Sequence, residues 1–198
     1  MIVELIRHGS TLWQGTGRYQ GRSDVPLSAA GLAELHPAGT CPETVYITRL
    51  CRTRQTAERL FPGAVLRETA GLEEMNFGDF EGRSADDMAQ DPAYRAWVEG
   101  FCQGPCPNGE SQARFIRRVT DAFARLLDEA AGEQKNLTLV AHGGTQMAVL
   151  STYADPVRPY FDWSVPCGHS FVLDAGRWQT DRRLTLLGQR DYTKGETP

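Results

Sequence analysis

The sequence predicts an α/β protein, a sandwich built on a largely parallel sheet. Three observations carry this. Short β-branched runs alternate along the chain with helical patterns. Leu137–Ala141 is an unbroken apolar run of strand length, as a central strand covered on both faces requires. Between Ser111 and Ala130, Phe115, Val119, Ala122 and Leu126 recur at 4-3-4 spacing, and Phe123 and Leu127 widen that stripe into the buried face of a helix.

The remaining elements follow from local signals. Ile2–Ile6 is short, β-branched and reads as the first strand, followed by a Gly-rich polar segment from Gly9 to Pro26. Ser28 caps a short helix that must stop before Pro37. Thr44–Ile47 is a second strand, Arg52–Leu60 a helix ended by Pro62-Gly63, and Ala64–Leu66 a third strand. Asn76–Gly82, with glycines and aromatics closely spaced, reads as a structured loop. Ser84 and Asp91 have N-cap chemistry and predict two short helices, the second with Pro92 in its first position. Gly104–Gly109 holds two prolines and two glycines and must be a loop. Thr145–Tyr153 reads as a helix. Pro156, Pro159 and Pro166 mark an irregular section, and Ser170–Leu173 and Leu184–Leu187 close the chain as strands.

Composition narrows the class of function. The 198 residues suit one domain, 1–198, with no repeat, low-complexity tract or linker. A net charge of -4 argues against a broad nucleic-acid or anionic-membrane surface, since both need a basic excess. No stretch approaches the roughly 18 apolar residues that span a bilayer. Glu4 and Arg7 come too early for a signal-peptide core. Five cysteines, an odd number, read as reduced thiols, which together imply a cytoplasmic protein.

Two of the four histidines share one setting. His8 follows the first strand and precedes Gly9; His142 follows Leu137–Ala141 and precedes Gly143-Gly144. Ligands of parallel α/β sheets bind beyond the carboxyl ends of strands, and a glycine there lets backbone approach a ligand closely. Either histidine alone is more often a satisfied polar residue; the repeated strand–His–Gly context favours a shared site. Arg7 adjoins His8, and Arg52 lies near a helix start, where guanidinium and backbone donors suit an anion. On composition alone, Arg49, Arg52, Arg54 and Arg59 could equally be a solvated basic face. His36 reads as a helix-end residue and His169 as a turn residue.

Other phosphate chemistries find no support. There is no P-loop, no cysteine with an arginine six residues later, and no Asp-x-Asp pair. Gly15-Thr-Gly17-Arg-Tyr-Gln-Gly21 has the wrong spacing for a dinucleotide fingerprint. Cys102 and Cys106 lack the second ligand pair of a zinc site.

Six blocks in order over residues 1–144 resemble the histidine phosphatase superfamily, also called phosphoglycerate mutase-like. Arg7-His8-Gly9-Ser10-Thr11 resembles R-H-G-x-T. Gly17-Arg18-Tyr19-Gln20-Gly21 with Asp24-Val-Pro26-Leu27-Ser28-Ala-Ala-Gly31 resembles G-R-x-Q-G and D-x-P-L-[ST]-x-x-G. Leu50-Cys-Arg52-Thr-Arg-Gln55-Thr56-Ala57 resembles L-x-R-x-x-Q-T-A. Leu72-Glu-Glu74-Met-Asn-Phe77-Gly78-Asp-Phe80-Glu81-Gly82 resembles L-x-E-x-x-F-G-x-[WF]-E-G. Pro107-Asn-Gly109-Glu110-Ser111 resembles P-x-G-E-S, and Val140-Ala-His142-Gly143-Gly144 resembles V-x-H-G-G.

The resemblance implies a three-layer α/β/α sandwich and a metal-independent phosphomonoesterase with no cofactor, acting on a small phosphorylated substrate. His8 is then the nucleophile, and Glu74 protonates the leaving alcohol and later activates water. Arg7, Arg52, a protonated His142 and Gly143 hold the phosphoryl oxygens, and Gln14, Arg18, Gln20 and Gly21 meet the substrate. Without the motif, Glu73 and Glu81 are equally available surface carboxylates. Gln14 replaces the family's usual Asn, and Thr48-Arg49 its usual Ser-Pro. The short acidic region Arg83–Gly109 differs from the basic insert of the family's mutases and favours a phosphatase. The run from Glu74 to Ser84, with Asp91–Trp97 and Pro107–Ser111, most resembles α-ribazole phosphatases of cobalamin assembly. Mutase-type transfer, a broad sugar or nucleotide phosphatase, a non-catalytic phosphate-binding module, and a metal-dependent hydrolase with His8 and His142 as ligands remain alternatives. The sequence does not define the oligomeric state.

Overall fold

A computed structural model describes residues 1–195, so the C-terminal end of the expected domain, 196–198, lies outside the described residues. The elements run β1 (Ile2–Arg7), α1 (Ala29–Glu34), β2 (Thr44–Ile47), α2 (Cys51–Leu60), β3 (Val65–Glu68), α3 (Pro92–Glu99), α4 (Gln112–Gly132), β4 (Leu137–Ala141), α5 (Gly143–Tyr153), β5 (Ala154–Asp155), β6 (His169–Asp174), α6 (Trp178–Asp181) and β7 (Leu184–Asp191). One-turn 3₁₀ helices occupy Gly78–Phe80 and Tyr160–Trp163.

The seven strands form one mixed sheet ordered β3-β2-β4-β1-β6-β7-β5. β3, β2, β4 and β1 run parallel, whereas β6 is antiparallel to both β1 and β7. Strand alternation explains the layers. Val3, Leu5, Leu137, Leu139 and Ala141 join a core with the buried stripe of α4 and with α5. Ile6, Val45, Ile47 and Val140 point the other way, packing with Leu35 beside α1 and with Ala57 and Leu60 of α2. The result is the α/β/α sandwich that the period-2 and period-3.6 patterns call for. β4 is buried at all five positions, as its unbroken apolar run requires.

Several boundaries and one element differ from expectation. No helix follows Ser84. Met88, Ala89 and Asp91 each donate backward to a carbonyl three residues earlier, giving successive tight turns in 85–90. Ser84 instead bridges to Arg18, and its amide binds Asp87. Cap chemistry is present there, but this pairing and the fully buried Met88 hold the segment tight. α5 begins two residues earlier than expected because His142 occupies its N-cap, so both glycines are helical. β7 is longer than expected, and β5 and α6 are too short to leave a periodic signal.

Phe123 of α4 is fully buried against Tyr153 and Trp178. Phe123→Ala should cost about 3–5 kcal/mol. Urea unfolding checks this; a loss under about 1 kcal/mol would show that the α4–α5 layer packs loosely.

Candidate active site

β1 and β4 lie side by side in parallel, with Arg7 opposite Ala141, so the residues that follow both strands meet. The His8 amide donates to the Ala141 carbonyl at 3.0 Å. The two imidazoles stand edge to face, 5.3 Å between centroids. His8 Nδ1 lies 2.7 Å from the Gly9 carbonyl oxygen, which can only accept. Nδ1 therefore carries the proton, and the lone pair of the neutral ring sits on Nε2. Gly9 in turn donates to Thr56 Oγ1, which fixes this turn to α2.

Arg52, in the first turn of α2, is fully buried. Its Nη1 and Nη2 donate to the carbonyls of Ser23 and Gly21 at 2.8 and 2.7 Å, and its Nε donates to His142 Nδ1 at 3.3 Å. His142 therefore accepts at Nδ1 and donates from Nε2 to Thr48 Oγ1, 3.0 Å away. Burial, then the Arg52 charge, hold the His8 pKa down to about 3. Burial, then Arg52 and His8, hold His142 well below the ordinary range. The expected protonated His142 is thus corrected: beside a buried guanidinium its imidazole is neutral.

Arg7 donates from Nη1 to the Val165 carbonyl at 2.6 Å, and its Nε finds no partner among the described residues. Its guanidinium lies across Gly143, where a Cβ would come within 3.3 Å of Cζ. Gly144 is more constrained still. Its amide donates to Glu74 Oε2 at 2.8 Å, and a Cβ would stand 2.1 Å from Glu74 Oε1. Glu74 Oε1 also accepts from the Met75 amide. Burial raises the Glu74 pKa, opposed by these two amides and by the charges of Arg52 and Arg7.

Glu73 and Glu81 are not surface carboxylates. Glu73 is buried and paired with Arg22, Arg49 and Arg118. Glu81 accepts from the amides of Gly21, Arg22, Ser23 and Phe77. Glu74 alone of the three lines the cavity, an opening of about 660 Å³ beyond the strand ends.

Arg7, His8, Gly143, Gln14, Arg18 and Gln20 share that cavity wall with Glu74. Gln20 presents a buried Nε2 with no partner among the described residues, while its Oε1 accepts from Thr11. Arg18 stands at the rim, tied to Asp87 and to the Gly82 carbonyl. Arg52 and His142 are wholly unexposed and do not line the cavity, although the His142 ring packs against His8. Gly21 sits behind the wall, where the Met75 carbonyl would be 1.8 Å from a Cβ. His169, held by Asp191 and the Cys167 carbonyl, and the exposed His36 stand apart from the cavity. Among the described residues, no group of three or more His, Cys, Asp or Glu could hold a metal ion.

Sequence reasoning missed the apolar wall. Trp13, Tyr19, Phe77, Trp97, Tyr160 and Phe161 converge on the cavity from four separate loops and helices. Their one sequence signal is that large aromatics stand in or beside Gly- and Pro-rich segments, where a core role is unexpected.

A family model described as histidine phosphatase superfamily (branch 1) matches residues 3–183. A relative from Klebsiella pneumoniae, named "Probable phosphoglycerate mutase GpmB", is 34% identical over 159 residues, spanning 76% of this chain and 73% of its own. The α-ribazole phosphatase from Shigella flexneri superposes with a TM-score of 0.78 at 25% identity, covering 98% of this chain and 96% of that one. The phosphoglycerate mutase from Thermus thermophilus gives 0.67 at 32% identity, covering 93% and 96%.

These shifts make stability depend on pH. Between pH 6.5 and about 3 the unfolded chain protonates His8 while the folded chain does not, so acidification favours unfolding. His142 acts in the same direction. Glu74 acts in the opposite one, since its raised pKa contributes stability that is present in acid and lost as pH rises. Each such histidine contributes a slope of about 1.4 kcal/mol per pH unit. Unfolding free energy should therefore fall between pH 6.5 and 5, and more gently in His8→Gln; identical slopes in urea titrations of the two proteins would contradict the buried neutral imidazole.

Proposed function

The chain belongs to the histidine phosphatase superfamily, and on that footing we propose that it hydrolyses phosphate monoesters through a phosphohistidine at His8, without a metal or cofactor. The observation that carries this reading is the bare Nε2 of a buried, neutral His8 in the same cavity as Arg7, Gly143 and Glu74.

The chemistry follows in two steps. His8 Nε2 attacks phosphorus; the N–P bond forms as the ester P–O bond breaks, and Glu74 gives its proton to the departing alcohol oxygen. Glu74, now a carboxylate, takes a proton from water as the water oxygen bonds to phosphorus and the N–P bond breaks. Inorganic phosphate leaves and His8 is restored. Charge on the equatorial oxygens is met by Arg7 and by the N-terminus of α5 at Gly143, while Arg52 acts from outside the cavity lining. His142 serves as a neutral spacer holding Arg52 beside His8. The raised Glu74 pKa suits a group that must begin protonated.

The cavity wall supports hydrolysis of an ester with a sizeable apolar alcohol. A phosphoglycerate carries a carboxylate beside its phosphate. Beyond Arg7, the one cationic side chain on the wall among the described residues is Arg18, already committed to Asp87 and the Gly82 carbonyl. The Shigella flexneri neighbour's name suggests an α-ribazole phosphate as the substrate; hydrolysis of α-ribazole 5'-phosphate would put the enzyme in cobalamin biosynthesis. The names of the Klebsiella and Thermus relatives favour a second reading, mutase-type phosphoryl transfer. No described helix is long and apolar enough to cross a membrane, and all five cysteines are free thiols, the state a reducing cytoplasm maintains.

His8→Gln should abolish turnover of every ester, and Glu74→Gln should slow it by about 100- to 10,000-fold while phosphate still competes with substrate. EDTA should leave the rate unchanged; loss of activity restored by a divalent cation would overturn the metal-independent mechanism. Incubation with α-ribazole 5'-phosphate and with 3-phosphoglycerate should release inorganic phosphate faster from the former and give no 2-phosphoglycerate from the latter. Isomerisation outpacing phosphate release would establish the mutase reading.

A further inference from the structure

We propose that the Arg118–Glu110 ion pair is a positioning device for Glu74: it sets where the proton donor stands without touching substrate. The inference rests on the reading of Glu74 as general acid.

The segment 71–76 carries Glu74 with no helix or strand of its own, so its backbone polar groups need partners from elsewhere. One guanidinium meets three of its carbonyls. Arg118 Nη1 donates to the carbonyls of Gly71 and Glu73 at 2.9 and 3.1 Å, and Nη2 donates to the Glu74 carbonyl at 3.3 Å. Glu110 holds Arg118 in a two-pronged pair, Nε to Oε1 and Nη2 to Oε2, both 2.8 Å. Glu110 also takes the far side of the same loop. Its Oε2 accepts from the Asn76 amide at 2.9 Å, and its own amide donates to the Asn76 carbonyl at 2.8 Å. Glu74 is thus gripped on both sides in sequence.

The grip has a rigid mount. Arg118 stands on α4 between the buried Phe115 and Val119, and Ser111 caps that helix immediately after Glu110. Neither Arg118 nor Glu110 lines the cavity. A planar fork is suited to collecting several carbonyls at fixed angles, which a lysine cannot reproduce. Misplacing a reacting group by about 1 Å can cost about 100-fold in rate.

Leaving-group dependence separates positioning from simple structural damage. Departure of p-nitrophenolate needs no proton from the enzyme; departure of an alkoxide does. Glu110→Gln and Arg118→Lys should slow single-turnover phosphorylation by an alkyl phosphate by about tenfold to 100-fold, yet change the p-nitrophenol burst by less than about twofold. Thermal melts confirm folding, and if one variant is too unstable to assay, the other carries the comparison. Equal losses on both substrates, or no loss on either, would overturn the proposal. Glu74→Gln is the reference: if it shows the unequal loss and the two clamp variants do not, the clamp is wrong and Glu74 stands. If Glu74→Gln loses both rates equally, the general-acid reading fails and takes the clamp with it.

Discussion

The site depends on one unfavourable act of burial: a guanidinium, Arg52, placed wholly out of solvent beside two imidazoles. A buried cation must be met by oriented dipoles or counter-charge. Here the carbonyls of Gly21 and Ser23 and the His142 ring meet it directly, while Glu74 and Asp24 face it electrostatically. The protonation states of His8, His142 and Glu74 all answer to that charge. It helps keep His8 and His142 neutral and tempers the rise in the Glu74 pKa that burial causes. A cationic His8 would have no lone pair to offer phosphorus, so under the proposed mechanism the charge that attracts an anion also keeps the nucleophile armed.

The sheet makes this arrangement reachable. Arg7 and His8 leave the end of β1, His142 the end of the adjacent β4, and Arg52 the start of α2, which follows β2. Parallel neighbours bring carboxyl ends to one edge, so His8 and His142, far apart in the chain, come within one ring contact of each other. Glu74 arrives on a segment without regular structure, and its precision has to come from the groups that hold that segment.

What the sequence made legible was what local pattern encodes. β4 was readable to the residue because a strand covered on both faces needs apolar side chains throughout. The convergence of His8 and His142 was readable because each follows a strand and precedes glycine. The choice of Glu74 over Glu73 and Glu81 was not readable from composition; it required the motif, and physically it rests on which carboxylate lines the cavity, Glu73 being paired with arginines and Glu81 turned to the amides of the Gly21–Ser23 loop. The neutrality of His142 was also hidden, since it depends on a buried contact with a residue ninety positions earlier. The aromatic wall was hidden for the same reason: Trp13, Tyr19, Trp97 and Phe161 have no shared period, and only the fold collects them.

Whether His8 attacks through Nε2, with Gly9 holding the proton on Nδ1, is open to direct measurement. The phosphorylated enzyme is trapped by rapid quench in denaturing alkali, and the adduct is identified by phosphorus NMR and peptide mass spectrometry. A single phosphorylated residue is expected, His8, modified at Nε2. A phosphoryl group on Nδ1, on His142, or on no residue at all during turnover would contradict that mechanism.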